Sequence, residues 1–366
     1  MKKIVFFIPY GMETPGGAER VTSIIANNLV NRYDYDIKII TFNSTDSFYN
    51  LDENIGIISL NIEKSNNFFI RKLQPIKYLG EYRKLIKKLS ADLIISFGVE
   101  AVIFNIIATF GIKNLKNFSW EHSSFYQPTY KVLNFLKKVF YKKLDKIIVL
   151  NKSEEKAFSS FIDENKIFVI PNPLPWNSSN VSKLNNKVII SVGRYQGVKG
   201  FEMLIKAFKK IVDRDDEWKL EIYGKDEGEK ENLNRLTKEL NLEKNVFLND
   251  ATKDIKEKYL NATLYAMSSR YESFGMVLLE AKECGLPIVS FDCMSGPRDI
   301  IRDGVDGYLA KYLDVQDLYT KMWKVLSDEE LKNKFAINAK KNVEIYNINN
   351  IINEWTHIID SINEEN

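Results

Sequence analysis

Short apolar runs alternate with segments of helical spacing along most of this chain. In the first half, residues 3–8, 36–41, 92–97, 116–120, 146–150 and 166–170 are runs rich in β-branched and aromatic side chains. Between them, residues 18–31, 78–89 and 130–143 repeat apolar positions every three or four residues. Apolar strands alternating with helices predict a parallel sheet covered on both faces. Pro171, Pro173 and Pro175 then break the pattern, because prolines so close together fit neither a helix interior nor a central strand. The rhythm restarts with strands expected over 188–192, 219–223, 246–248, 263–267 and 287–291, and helices over 200–212, 229–240 and 274–284. The pattern therefore predicts two doubly wound α/β domains, residues 1–175 and 176–347, with a linker over about 171–186. Residues 348–362 carry Ile351, Ile352, Trp355, Ile358, Ile359 and Ile362 at helical spacing, a last helix expected to pack back on the first domain. Ligands of such sheets bind at the carboxyl ends of the strands, so the expected site is a cleft that the two domains face across.

Composition narrows the function. The chain has 366 residues, 45% of them hydrophobic, which suits two globular domains and excludes disorder as the main state. Two cysteines, Cys284 and Cys293, exclude a disulfide scaffold and a CxxC zinc site. With only His122 and His357, a multi-histidine metal site is not expected either. This usage fits a reducing, cytoplasmic setting. The apolar run 4–10 is too short for a secretory h-region, and no stretch reaches about 18 uninterrupted apolar residues, so neither a targeting segment nor a membrane span is expected. A net charge of +3 does not suit a general nucleic-acid binder. The charge is uneven, however. Residues 1–182 hold seven more basic than acidic side chains, and the remainder four more acidic than basic. An anionic partner or surface would be met by the first half.

Four constellations carry candidate chemistry. Pro15-Gly16-Gly17-Ala18-Glu19-Arg20 lies between the first strand and the first helix, where Gly16 and Gly17 allow close backbone approach and the helix N-terminus offers N–H groups to an anion. A plain strand-to-helix turn reads the same way, and the G-x-G-x-x-G dinucleotide pattern is not met. Gly193-Arg194 followed by Lys199-Gly200 places two cations at the opening of a helix, where they could offset a diphosphate; solvated loop cations are the alternative. Glu272-Ser273-Phe274-Gly275 turns into a helix that holds Glu280 two turns in, on a similar face. Eight residues of helix span about 12 Å, too far for two carboxylates acting on one bond but suited to opposite ends of a long ligand. The apolar neighbours Val277, Leu278, Leu279 and Ala281 put Glu280 in a buried setting, where an unpaired carboxylate is costly and a polar ligand partner is expected. Finally, Trp120-Glu121-His122 ends a strand, where ligands bind, although a lone histidine is more often structural.

In this order the motifs resemble the family 4 retaining glycosyltransferases of GT-B fold (glycosyl transferases group 1), of the type that builds bacterial cell-envelope polysaccharides. Gly285-Leu286-Pro287, Gly296-Pro297-Arg298-Asp299 and Gly304-Val305-Asp306-Gly307 add to the resemblance, which covers nearly the whole chain. The resemblance implies a nucleotide-sugar donor bound by the second domain and an acceptor read by the first. Arg194 and Lys199 would stabilise the leaving diphosphate, with Gly193 opening their loop. Glu272, Ser273, Phe274 and Gly275 would hold donor-sugar hydroxyls and phosphate. Glu280 would take the ribose hydroxyls. Gly16 and Gly17 would reach the phosphates from across the cleft, and His122 would lie by the transferred sugar. It also implies front-face attack without an enzyme nucleophile, no cofactor and no metal. Val198, with Gly197 before it, stands where the family often has an acidic residue, which bears on loop stiffness. The Ser295-Gly296-Pro297 turn resembles enzymes that use UDP-hexoses or UDP-N-acetylhexosamines. A sugar-nucleotide epimerase or a phosphorylase of the same fold, or a non-catalytic binder, are the alternatives. The acceptor loops are expected over 42–60, 67–75 and 123–130.

The stretch 131–146 holds Lys131, Lys137, Lys138, Lys142, Lys143 and Lys146 against Asp145 alone, interleaved with Val132, Leu133, Phe135, Leu136, Val139 and Phe140. It reads as a basic amphipathic helix, either lying on an anionic bilayer near a lipid-linked acceptor or simply turning its apolar side to the core.

Overall fold

The computed structural model describes residues 1–62 and 74–363, so most of the expected 67–75 loop lies outside the described residues. The chain forms two compact units: Met1–Pro173 together with the segment from Ile348, and Leu174–Asn347. Among the described residues the first unit holds one parallel sheet of β1 (Lys3–Phe7), β2 (Asp36–Thr41), β3 (Gly56–Ser59), β4 (Leu93–Phe97), β5 (Lys116–Trp120), β6 (Lys146–Val149) and β7 (Ile167–Val169). Their order is β3-β2-β1-β4-β5-β6-β7. The second unit repeats the plan with β8 (Val188–Val192), β9 (Lys219–Tyr223), β10 (Val246–Asn249), β11 (Leu264–Met267), β12 (Ile288–Phe291) and β13 (Gly307–Ala310), in the order β10-β9-β8-β11-β12-β13. Each sheet starts at an inner strand, winds out to one edge and returns past the start, so its topological switch lies at β1/β4 or β8/β11.

The strands are apolar on both faces because helices cover both. In the first unit Val5, Phe7 and Ile94 pack with Tyr82 and Phe104, while Ile147 and Val149 pack with Val102, Tyr141 and Phe158. The second core gathers Ile189, Leu220 and Ile222 with Leu204, Phe208 and Met322. The helix Gly98–Thr109 follows β4 without the three-to-four spacing, because it is apolar nearly all round and largely buried.

The expected linker is shorter than residues 171–186. From Leu174 onward the segment is bonded to the second unit: the Leu174 N–H donates to the Tyr346 carbonyl at 2.9 Å, and that of Ser182 to Cys284 at 2.8 Å. The last helix, Ile348–Asp360, belongs to the first unit. Its Trp355 is fully buried, with ring centroids 4.6 Å from Trp120 and 6.4 Å from Phe6. Lys2 Nζ and the Tyr35 hydroxyl both reach its Asp360, at 2.7 and 2.9 Å.

A charged network closes the second unit. Lys282 and Asp306, whose side chains are 1% and 0% exposed, pair at 2.8 Å. Lys282 also donates to the Ile300 carbonyl at 2.6 Å, and Asp306 accepts from Asn342 Nδ2 at 2.9 Å and from the Arg302 N–H at 3.0 Å. Cys284 and Cys293 are buried too, and burial pushes both thiols up to about 12. A thiol reagent at pH 8 should therefore modify neither cysteine in the folded protein and both after denaturation. Rapid labelling of the native protein would contradict the burial of these groups.

Candidate functional site

The site is built from the loops that leave β8 and β11, the two strands at the switch of the second sheet. After β8 the chain runs through Gly193 and Arg194 into a single tight turn, Gly197–Lys199, and then into the helix Phe201–Val212. Gly200 joins turn to helix at φ +60°, and a Cβ there would lie 2.3 Å from the Ser268 carbonyl oxygen. The second loop thus sits directly on the first. The Ser268 hydroxyl donates to the Lys199 carbonyl at 3.0 Å, and the Arg270 N–H to the Val198 carbonyl at 2.8 Å. Arg270 Nη1 donates to the Gly197 carbonyl at 2.5 Å while Nη2 reaches Glu202.

These contacts bring Lys199 against Glu272. Its Nζ lies 2.6 Å from Glu272 Oε1, with the two side chains 18% and 10% exposed. The Ser269 hydroxyl donates to the same oxygen at 2.7 Å, and the Ser295 hydroxyl to the Glu272 carbonyl at 2.5 Å. Beyond Glu272, Ser273 and the buried Phe274 lead to Gly275, which opens the helix Met276–Glu283 at φ +95°. A residue with a Cβ would be strained there. The first N–H groups of a helix have no partner within it, so this N-terminus adds donors and a positive dipole end beside the Lys199–Glu272 pair.

Arg194 and Glu280 are placed differently. Arg194 is mostly exposed and its Nη1 lies 3.3 Å from Glu227, which also accepts from Gln196. Glu280 is buried, and the Tyr259 hydroxyl donates to its Oε2 at 2.9 Å. The protein itself therefore supplies a partner where a ligand partner was expected. The helix begins at Met276, so Glu280 lies a little over one turn in, not two. Burial holds the Tyr265 phenol well above its ordinary range, and the charges of Glu272 and Glu280 add to the effect.

In the first unit, Gly16 caps the helix Gly17–Tyr33, and the Glu19 carboxylate, held by the Thr14 hydroxyl at 2.5 Å, folds over it. His122 follows β5 and stacks on Phe97 at 5.1 Å with rings 4° from parallel, and its ring centroid lies 4.4 Å from that of Trp120 at a tilt of 59°. Burial pushes its imidazole down to about 3, so the ring is uncharged at physiological pH.

The structure thus joins Lys199 to Glu272 and the helix opened by Gly275, and sets Arg194 nearby on Glu227. It places Gly16, Gly17 and His122 in the other unit. Ser269, Arg270, Glu202, Glu227 and Tyr259 escape sequence reasoning. They hold the loops from outside the motifs, although Glu202 follows Gly200 by two residues and Ser269 and Arg270 precede Glu272 by three and two.

Comparison with known proteins identifies the family and the fold. Residues 15–175 match the Glycosyltransferase Family 4 model, and residues 175–342 match Glycosyl transferases group 1. A Haemophilus influenzae protein named only as an uncharacterized glycosyltransferase is 31% identical, over 98% of this chain and 100% of its own. A Campylobacter jejuni α-1,4-N-acetyl-D-galactosaminyltransferase acting on a diNAcBac-PP-undecaprenol glycan is 27% identical over 98% of both chains. Among solved structures, sucrose-phosphate synthase from Thermosynechococcus elongatus superposes with a TM-score of 0.85 at 17% identity, covering 100% of both chains. Anabaena HepE, solved with UDP and glucose, gives 0.79 at 19% identity, covering 99% of this chain and 100% of its own. The solved structures share the fold, and the sequence matches carry the family: this chain belongs to the family 4 (group 1) glycosyltransferases, and its two parallel α/β units are those of the GT-B fold.

Proposed function

We propose that this glycosyltransferase moves a hexose or N-acetylhexosamine from a nucleotide-sugar, with UDP as the nucleotide, to a glycan or lipid-linked oligosaccharide in cell-surface polysaccharide assembly, and that it retains the anomeric configuration. The observation that carries the reading is the Lys199–Glu272 pair at the β8/β11 switch, beside the N-terminus of the helix Met276–Glu283. A departing diphosphate gains negative charge as its bond to the sugar breaks. Lys199, the exposed Arg194 guanidinium and the helix N–H groups are the donors suited to meet that charge. The acceptor hydroxyl attacks from the face the nucleotide leaves, and a donor phosphate oxygen takes its proton. No enzyme nucleophile, cofactor or metal is then required. Glu272 holds sugar hydroxyls, Glu280 the ribose, and neutral His122 a hydroxyl of the transferred sugar. The donor class is supported by the UDP and glucose in the Anabaena structure. The acceptor class is supported by the Campylobacter relative and by a Salmonella lipopolysaccharide 1,6-galactosyltransferase, 26% identical over 72% of this chain and 74% of its own.

The test is nucleotide release from UDP-, GDP-, ADP- and dTDP-sugars, with EDTA present, without and then with membrane lipid extract. Release from a UDP-sugar that extract stimulates is expected. Preference for another nucleotide, or loss of activity in EDTA, would overturn those parts of the reading. Glu280→Gln should weaken UDP binding by about 1–3 kcal/mol, the worth of a hydrogen bond to a charged group. Unchanged affinity by calorimetry would remove Glu280 from the ribose.

A lipid-linked acceptor implies work at a membrane surface. Among the described residues no helix is long and apolar enough to cross a membrane. The helix Lys131–Tyr141 supports surface contact through an outward stripe: Val132 and Phe135 are 69% and 66% exposed, Val139 is exposed, and Lys131 and Lys138 flank them with no acidic residue in the helix. The basic face is narrower than the stretch 131–146 implied. Lys146 is buried at the start of β6, donating to the Ser361 hydroxyl at 2.5 Å, and Lys137 turns inward. Flotation with anionic vesicles should carry the protein, and Phe135→Ser should weaken it. No binding at low salt would sink the membrane contact.

A further inference from the structure

Lys137 is a half-buried charge of the first unit, turned inward on a helix whose other face is exposed. Its Nζ lies 4.2 Å from the ring centroid of Phe158, 4.8 Å from Phe125 and 5.4 Å from Tyr141, a cage of aromatic faces that favours a cation. Two buried carboxylates, Glu121 and Glu154, act on its charge. Both are tied to the stretch of chain that carries His122. Glu121 immediately precedes His122, and its Oε1 accepts the Tyr141 hydroxyl at 2.8 Å. Glu154 accepts the Phe125 N–H at 3.0 Å and the Ser124 hydroxyl at 3.2 Å, just after His122. Lys137 and Tyr141 are four residues apart and so share one helix face. That face grips the loop 121–125 from both ends.

The electrostatics give the cage a purpose. Two carboxylates in one low-dielectric region cannot both stay ionised without a nearby cation. Burial pushes the Glu121 carboxyl up, and Lys137, Tyr141 and Ser119 oppose that push. The groups facing Glu121 are Lys137 and Tyr141 from the helix Lys131–Tyr141 and Ser119 from β5, while Glu154 from the helix Lys152–Phe158 shares Lys137 with it. Removing Lys137 would take away the cation that opposes this push, favour the protonated form of Glu121 further and loosen its hold on the loop.

We propose that Lys137 and Tyr141 are positioning residues for the transfer reaction: they hold the buried Glu121 carboxyl in place, and so set the loop that presents His122 to the sugar. This rests on the role proposed above for His122. It makes the inner face of this helix a part of the reaction machinery, although neither side chain meets substrate.

The test uses the full-length protein with Lys137→Met, Lys137→Arg and Tyr141→Phe. Steady-state nucleotide release against pH, UDP affinity by calorimetry and the NMR resonances of the His122 ring are measured for each. Lys137→Met should lower kcat about tenfold at neutral pH, within the up to about 10²-fold loss that a displaced catalytic group can cause, with UDP affinity within about twofold of the parent. The acid limb of its kcat profile should move to higher pH, because Glu121 then protonates sooner. Its His122 ring resonances should shift. Lys137→Arg should recover most of the rate, and Tyr141→Phe should show the same changes in smaller measure. Should Lys137→Met not fold, Tyr141→Phe decides by the same readouts. Parental kcat and pH profile in these variants, or a rate loss equal at every pH, would overturn the proposal. Unmoved His122 resonances would overturn it even in a protein that turned over no donor, whereas absent turnover in the parent chain with moved resonances would count against the proposed function alone.

Discussion

Lys199→Ala should lower donor turnover about 10²–10³-fold, the usual cost of deleting one preorganised donor that meets transition-state charge. The loss should fall on kcat and leave the KM for acceptor nearly unchanged, because in the proposed mechanism the ammonium meets the leaving diphosphate. A second effect runs in the same direction. Glu272 would lose its 2.6 Å ion pair and keep only the Ser269 hydroxyl on that oxygen, so a mostly buried carboxylate would stand uncompensated in the phosphate site and repel the donor. Pairing Lys199→Ala with Glu272→Gln separates the two contributions. If repulsion dominates, the double variant binds UDP better than Lys199→Ala alone while its kcat stays low. Parental kcat in Lys199→Ala would remove Lys199 from the reaction.

Asp306→Ala should destabilise the second unit by about 3–5 kcal/mol, since it leaves the Lys282 ammonium buried without its counter-ion. At about 2–4 °C per kcal/mol for a domain of this size, the unfolding midpoint should drop by roughly 10 °C. Removing both charges, as Lys282→Met with Asp306→Leu, should restore most of the loss, because the desolvation penalty disappears along with the attraction. The damage should also reach the site. Lys282 sits on the helix that Gly275 opens, and its bond to Ile300 fixes that helix against the segment following Ser295 and Gly296. A scanning-calorimetry midpoint that does not move would show the pair to be dispensable.

Much of the fold was legible because local pattern and tertiary role coincide. The strands over 36–41, 116–120, 188–192 and 219–223 lie where their short apolar and aromatic runs predicted. β3 was not legible: Gly56-Ile57-Ile58-Ser59 is short, opens on glycine and forms an edge. Val315–Leu326 carried a readable signal in the Asp314 cap and the spacing of Leu318, Met322 and Val325, although no strand follows to complete the alternation. The polar Glu329–Asn342 offers a weaker stripe. At the site, Lys199 and Glu272 each announced themselves by the turn they occupy. Their pairing did not, because it depends on β8 and β11 lying side by side, which no local window records. Lys137 misled for the same reason. Counted along the helix it adds to a basic face, and only the packing of Phe125 and Phe158 shows which way it turns.

The interrupted first unit has a consequence for synthesis. Its core is incomplete until Trp355 arrives beside Trp120 and Phe6, whereas the second unit is one unbroken stretch of chain. A ribosome therefore releases every residue of the later unit before it delivers the helix that finishes the earlier one. The usual order, in which the N-terminal part folds first, is reversed for completion. Nascent chains stalled with residues up to 347 outside the ribosome should hold a closed second unit and an open first one, its Phe6 and Trp120 surface exposed to chaperones until Trp355 emerges.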